Sequence, residues 1–373
     1  MKKLCAVIIC FYVMFSVCAF DTYAVGTSAE AHVLIDADTG VVLSASSENK
    51  KLKMASTTKI MTTLLALEEA EKENAVVTFT EDMIAEGSSM YLKIGDKLRL
   101  TDLATGMMMA SGNDAANAVA LYLGKSYENF ATLMNNKAKA IRMNNTHFVT
   151  PSGLDDEEHY STAYDMALLM AEAVKNESFK ELSASAEKTV EFVYPEDKST
   201  TYANHNRLLK SYSYCTGGKT GYTEAAGRCL VTSAEKDGVS LIAVTLNAPD
   251  DWNDHKALYE YGFSLYTKVK LDERSTAFEI KLSGGEQDFF TASADEALSV
   301  SVPANRIHDI EKNIYLPNFV FAPVNKGDTI GKITYTLDGA LIAETDLKVV
   351  YSVNEKPQPN FFIRLISAIF NRD

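Results

Sequence analysis

Ser56-Thr57-Thr58-Lys59-Ile60-Met61-Thr62-Thr63-Leu64-Leu65-Ala66-Leu67 is the stretch around which the rest of the chain can be organised. From Thr57 to Ala70 the apolar residues Ile60, Met61, Leu64, Leu65 and Leu67 recur at helical spacing. Ser56 therefore stands at the mouth of an apolar helix, with Lys59 one turn inside it. A spacing of i to i+3 sets the lysine amine beside the serine hydroxyl. Serine needs a neighbouring base to act as a nucleophile near neutral pH, and a lysine serves once its pKa is lowered. The helix N-terminus favours the negative charge that develops there. The same residues also read as an N-cap serine followed by a surface lysine, so the pair gains weight only from its surroundings.

Two further short motifs carry groups suited to that chemistry. Ser111-Gly112-Asn113 follows Met107-Met108-Met109, inside a stretch from Thr101 to Tyr122 that reads as one helix. A hydroxyl and an amide at this interval can relay a proton and hold a peptide group. Lys219-Thr220-Gly221 lies within Thr216-Gly217-Gly218-Lys219-Thr220-Gly221-Tyr222-Thr223. Glycines there let a substrate backbone approach a strand closely, and Lys219 with Thr220 can bind a carboxylate. A phosphate-binding loop is the competing reading, but it needs G-x-x-x-x-G-K-[ST], and position 213 is Ser. His147, His159 and His205 show no H-E-x-x-H spacing and no paired cysteine ligands, so they read as loop or core histidines. No metal and no cofactor is expected. Met107 to Met109 reads as core, and Asp155-Asp156-Glu157-Glu158 as a solvated loop.

The triplet classes S-x-x-K, S-x-N and K-T-G in this order resemble the set shared by penicillin-binding proteins and class A β-lactamases. Further segments are similar to a narrower family, the low-molecular-weight penicillin-binding proteins that act as serine-type D-Ala-D-Ala carboxypeptidases. These are Phe148-Val149-Thr150-Pro151-Ser152-Gly153-Leu154, His159-Tyr160-Ser161-Thr162-Ala163-Tyr164-Asp165-Met166-Ala167, Asn204-His205-Asn206-Arg207-Leu208-Leu209 and Gly221-Tyr222-Thr223-Glu224-Ala225-Ala226-Gly227. The resemblance covers essentially the whole chain after its first residues. It implies that Ser56 is the nucleophile and Lys59 its general base. Ser111 would pass a proton to the departing amine, and Asn113 would hold the substrate amide. Lys219 and Thr220 would bind the terminal carboxylate beside Gly221, and the backbone N–H groups of Ser56 and Tyr222 would form the oxyanion hole. Some family members carry His where this chain has Tyr222, a departure that keeps the backbone donor and changes the side chain. The implied partners are a peptidoglycan stem peptide ending in D-Ala-D-Ala and, as inhibitors, β-lactams. A β-lactamase, with Glu157 or Glu158 for deacylation, and a non-catalytic cell-wall binding protein are the alternatives.

The chain has 373 residues, 46% of them apolar, enough for two packed domains. A net charge of -14 argues against nucleic acid as a partner. The fold class expected is mixed α+β. Residues 29–270 form a transpeptidase-like domain, an antiparallel sheet covered by helices. Residues 275–353 form a small all-β sandwich, read from alternations such as Phe278, Ile280, Leu282 and Ile333, Tyr335, Leu337. Glu191 to Tyr194 resembles a strand. Lys2, Lys3 and the apolar run from Leu4 to Phe20 mark residues 1–24 as a signal peptide, with an uncleaved anchor as the alternative. Residues 360–373, rich in Phe, Ile and Leu, read as an amphipathic helix too short to span a bilayer and suited to a membrane surface. The expected location is the outer face of the cytoplasmic membrane. Cys215 and Cys229, the only cysteines beyond the signal, are either one disulfide or two free thiols.

Overall fold

The computed structural model describes residues 25–357. The readings of residues 1–24 as a signal and of 360–373 as a helix lie outside the described residues.

Two strands open the first domain, β1 (Ala31–Asp36) and β2 (Val42–Ser46). A 3-10 turn, Ala55–Thr58, leads into α1 (Lys59–Ala70). A ribbon of β3 (Val76–Thr78) and β4 (Lys97–Arg99) brackets a long loop. Next come α2 (Leu100–Met109), α3 (Asn113–Gly124), α4 (Tyr127–Ala140), α5 (Ala163–Ala173) and α6 (Glu177–Ala184). A second ribbon, β5 (Glu187–Glu191) and β6 (Ser199–Ala203), and the short α7 (Leu208–Ser211) precede β7 (Cys215–Thr223). Then β8 (Gly227–Lys236), β9 (Val239–Leu246) and α8 (Asp251–Leu265) complete the domain.

The main sheet has the order β2-β1-β9-β8-β7, all neighbours antiparallel. Alternate side chains serve opposite layers. Val33, Ile35, Ile242, Val244 and Leu246 join the core beneath α1 to α5, whereas Leu34, Leu241 and Ala243 pack with Leu258 and Tyr259 of α8. Because both faces are covered, β9 reads as a nearly continuous apolar run. Each Leu or Ile buried this fully contributes about 1.5–3 kcal/mol. β7 is left at an edge.

Two local readings are corrected, and the alternative left open for the cysteines is decided. The expected single helix from Thr101 to Tyr122 is broken at Ala110-Ser111-Gly112, where Ser111 takes a left-handed φ of 55°. Apolar periodicity hid the break, because Met107 to Met109 and Ala115, Ala116 and Val119 on its two sides pack into one core. The strand expected at Glu191 to Tyr194 ends at Glu191, and beyond it Tyr194 makes only an isolated bridge to Lys97. Cys215 and Cys229 are free thiols. Across the β7–β8 ladder Cys215 pairs with Ala234 and Cys229 with Gly221. Gly221 lies six residues along β7 from Cys215, roughly 20 Å at strand rise, far beyond the ~7 Å a disulfide bridges.

The second domain is all β. Its strands are β10 (Tyr266–Leu271), β11 (Phe278–Ser283), β12 (Phe289–Ala294), β13 (Leu298–Pro303), β14 (Glu311–Tyr315), β15 (Phe319–Phe321), β16 (Thr329–Leu337) and β17 (Ala340–Val349). A six-stranded sheet, β14-β16-β17-β12-β11-β15, accompanies the pair β10-β13. Ile280, Leu282, Phe290, Ile333, Tyr335 and Leu347 form its core. The Asp338-Gly339 turn has both residues at positive φ, the backbone a two-residue hairpin demands.

Candidate active site

The corner that carries Ser56 is built on backbone strain. Ala55 is buried with φ 46°, and Ser56 follows in the 3-10 turn. The Thr57 hydroxyl donates to Met54 O at 2.6 Å and fixes the turn from within. Lys59 Nζ donates to Ser56 Oγ at 2.8 Å and to the Ser152 carbonyl at 2.7 Å. Lys59 is fully buried. Desolvation, and next the charge of Lys219, hold its pKa well below the ordinary lysine range. The pairing read from the i to i+3 spacing is therefore present, and a surface position for Lys59 is excluded.

The Ser152 carbonyl reaches Lys59 because the chain at Gly153 passes very close to the nucleophile turn. Gly153 has φ 84°, and a Cβ there would lie 1.9 Å from Ala55 O. Thr62 anchors the same loop by donating to Pro151 O at 2.6 Å. His159 holds it from the other side. Its Nδ1 accepts from the N–H groups of Val149 and Thr150, so Nε2 carries the proton and donates to Thr58 Oγ1 at 2.9 Å. Burial pushes this imidazole down to about 4, so it is neutral at physiological pH. His159 is thus a structural histidine, as the sequence suggested. The loop's part in seating Lys59 was not read from composition or spacing; Gly153 was its only local signal.

Ser111 and Asn113 are brought in by the break between α2 and α3. Both are buried. Lys219 Nζ donates to Ser111 Oγ at 3.0 Å and to Thr220 O at 2.9 Å. Burial brings Lys219 down to about 7. Asn113 Nδ2 donates to Glu86 O at 2.7 Å, while its Oδ1 is buried with no partner. Asp114, which sequence reasoning missed, organises the loop that faces these groups. Its carboxylate accepts from the N–H groups of Met90, Leu92 and Ala115 and from Ser89 Oγ. The Asn113 N–H donates to Ser88 O at 2.7 Å, and Ser88 lines the cleft.

The edge strand β7 closes the site. Gly221 faces the nucleophile turn, and a Cβ on it would lie 3.1 Å from Ser56 N and 2.9 Å from Met54 O. Only glycine lets the two backbones come together, and this brings the Tyr222 segment beside Ser56. Thr220 and the exposed Tyr222 line a cleft of ≈ 330 Å³ with Ser56 and Ser111, and Arg207, Arg228 and Trp252 lie in the same cleft. Arg228 donates to Asp251 at 2.6 Å. The Gly218-Lys219-Thr220 run is strand, not a loop opening a helix, so the phosphate-loop reading is set aside. Every sequence-predicted site residue lies in or against this one cleft. Glu157 and Glu158 do not: both are exposed, and Glu158 contributes a backbone carbonyl to His147. Among the described residues no cluster of three or more His, Cys, Asp or Glu offers a metal site.

Residues 19–250 match the peptidase S11 family model, D-alanyl-D-alanine carboxypeptidase, and residues 266–355 match the model for the C-terminal domain of penicillin-binding protein 5. The chain is 35% identical to the D-alanyl-D-alanine carboxypeptidase DacF of Bacillus subtilis, over 85% of this chain and 84% of that one. It is 34% identical to DacC of Escherichia coli, over 89% of this chain and 86% of that one. Among solved structures it resembles penicillin binding protein 5 from Haemophilus influenzae, with a TM-score of 0.69 and 29% identity, covering 89% of this chain and 99% of that one.

Proposed function

The chain belongs to the peptidase S11 family of D-alanyl-D-alanine carboxypeptidases, and from that premise we propose that its cleft hydrolyses the terminal peptide bond of stem peptides ending in D-Ala-D-Ala through an acyl-enzyme on Ser56. The observation that carries this reading is the contact of Lys59 Nζ with Ser56 Oγ at 2.8 Å in a buried setting that favours the neutral amine. Ser56 Oγ attacks the carbonyl carbon of the penultimate residue, and Lys59 takes the hydroxyl proton. The oxyanion faces the N–H groups of Ser56 and Tyr222. The proton passes from Lys59 by way of Ser111 to the departing amine, and free D-alanine leaves. Water, deprotonated by Lys59, then attacks the ester and returns Ser56. Thr220 and Lys219 hold the substrate carboxylate, with Lys219 acting from behind Ser111. Asn113, with its unused acceptor, takes a substrate N–H.

A β-lactam enters the same sequence. Its ring amide is opened by Ser56, and the tethered leaving group stays in the cleft. Ser56→Ala should abolish both the penicillin adduct seen by intact-mass spectrometry and the release of D-alanine. A full-size adduct on the variant would overturn the assignment.

The membrane reading is part of this proposal. Among the described residues no helix is long and apolar enough to cross a membrane. Residues 1–24 export the chain, and the apolar segment 360–373 holds it at the outer face of the cytoplasmic membrane. The chain ending at Lys356 should keep its activity on soluble peptide and no longer sediment with liposomes; undiminished sedimentation refutes the anchor.

A further inference from the structure

The outer face of the second domain carries a lysine flanked by two aromatic rings. Lys281 of β11 pairs with Phe289 of β12 and with Phe319 of β15, so the three side chains point the same way. Phe321 lies two residues on and shares that face, its ring meeting Phe319 edge to face with centroids 5.3 Å apart. The opposite faces of β11 and β12 supply the core residues Ile280, Leu282 and Phe290. The outer rings are therefore not core residues left half-covered. Phe289, Phe319 and Phe321 are 48%, 51% and 68% exposed. Clustered exposed rings mark an interaction surface, and β15 places this one at a sheet edge.

The patch lies where the chain leaves the domain. Ser283 pairs with Phe321, and the next residue, Gly284, accepts a hydrogen bond from the Lys356 N–H at 2.8 Å. Gly285 bridges to Glu355. The segment that follows therefore begins about one strand step from the rings, and it contains Phe361, Phe362, Ile363, Leu365, Ile366, Ile369 and Phe370.

We propose that Phe289, Phe319 and Phe321 around Lys281 form a lipid-contacting surface that rests on the membrane entered by the adjoining C-terminal segment. This rests on the membrane reading of that segment. Aromatic rings suit the boundary between headgroups and acyl chains, and Lys281 can extend its ammonium to lipid phosphates over its own methylene stem. A single terminal attachment lets the domain pivot at Lys356-Pro357. A second contact beside it sets which way the domain, and the cleft beyond it, faces.

The test uses the full chain without residues 1–24, with Phe321→Trp as its only indole in a Trp252→Phe background, since the chain has one tryptophan. It is mixed with phosphatidylethanolamine–phosphatidylglycerol vesicles whose acyl chains are plain or brominated. The introduced indole should be quenched by the brominated chains. Separately, Phe319→Ser/Phe321→Ser should weaken vesicle partitioning at least about tenfold without lowering the melting temperature, because neither ring is in the core. Sedimentation with no quenching, or with partitioning unchanged in the serine pair, overturns the surface and leaves the anchor standing. Failure of the full chain to sediment overturns both. A vesicle-free dimer that the serine pair dissociates would assign the patch to self-association instead.

Discussion

Gly153→Ala tests whether the close passage of the Pro151–Gly153 loop seats the catalytic pair. Two costs arise. Alanine at φ 84° is strained by about 1–3 kcal/mol. The new Cβ would also meet Ala55 O at 1.9 Å, Ala55 C at 2.5 Å and Thr58 Oγ1 at 2.8 Å. The first two are backbone atoms, so no rotamer change relieves them. The loop and the nucleophile turn must separate by roughly 1.5 Å to restore van der Waals contact, which draws the Ser152 carbonyl away from Lys59 and shifts Ser56. A misplacement of ~1 Å in a catalytic array costs on the order of 10²-fold in rate. The acylation rate by a fluorescent penicillin and kcat/KM on a D-Ala-D-Ala peptide should both fall about a hundredfold, with a lowered melting temperature. Gly40→Ala is the matched control. It has φ 72° with nothing within 4 Å, so it carries the same backbone strain without the collision. If Gly153→Ala acylates as fast as Gly40→Ala, the loop does not position the nucleophile and the reasoning fails.

Other outcomes follow from the same geometry. Lys219, held at about 7 when folded and near the usual 10.5 when unfolded, leaves the unfolded chain holding more protons between those values. Stability should therefore rise with pH from about 7 to 10, and Lys219→Met should flatten that rise in melting temperature. The same variant removes a like charge that lowers the Lys59 pKa, so the ascending limb of the pH–acylation profile should move to higher pH. Asp114→Asn turns an amide N–H toward buried donors, loses at least one hydrogen bond to a charged group worth about 1.5–3 kcal/mol, and should slow acylation by loosening the loop at Ser88; an unchanged melting curve counts against it. Thiol titration of the denatured, unreduced chain without residues 1–24 should find two free cysteines. In the native state Cys229, pushed up to about 12 by burial, should react far more slowly than a free thiol.

Reading the sequence alone located the chemistry better than the path of the chain. Ser56 and Lys59 were legible because a spacing of three sets both on one side of a helical turn, although that turn is 3-10 and α1 starts only at Lys59. Ser111 was named, yet it was placed within one continuous helix, since the residues on both sides of the break serve one core. The signal was local: Ser-Gly followed by Asn-Asp suits a new helix start, with Asp114 in its first turn. Arg207, Arg228 and Trp252, which also line the cleft, come from three separate segments and share no spacing to find. In the second domain, strands with one buried face were legible by alternation. β14 was not, because all five of its residues are exposed at a sheet edge.

Several departures from ordinary folding economy meet in this cleft, beside others in turns and cores elsewhere. Ala55 and Ser111 both hold left-handed backbone without being glycine, and both lie beside reacting groups. Strain of about 1–3 kcal/mol at each persists only where surrounding structure over-determines it. Here Gly153, Gly221 and the Asp114 loop do so. Asn113 Oδ1 adds a buried acceptor with nothing to accept, a further ~1–3 kcal/mol. Two lysines are buried in the same cleft, each pressed toward its neutral form. In the proposed mechanism, a substrate that brings a carboxylate for Lys219 and an N–H for Asn113 relieves two of these defects on binding. Once Lys219 is paired with that carboxylate, its proton is held more firmly. Lys59 then remains the neutral partner beside Ser56, and under the proposed roles carboxylate recognition and activation of the nucleophile become one electrostatic event.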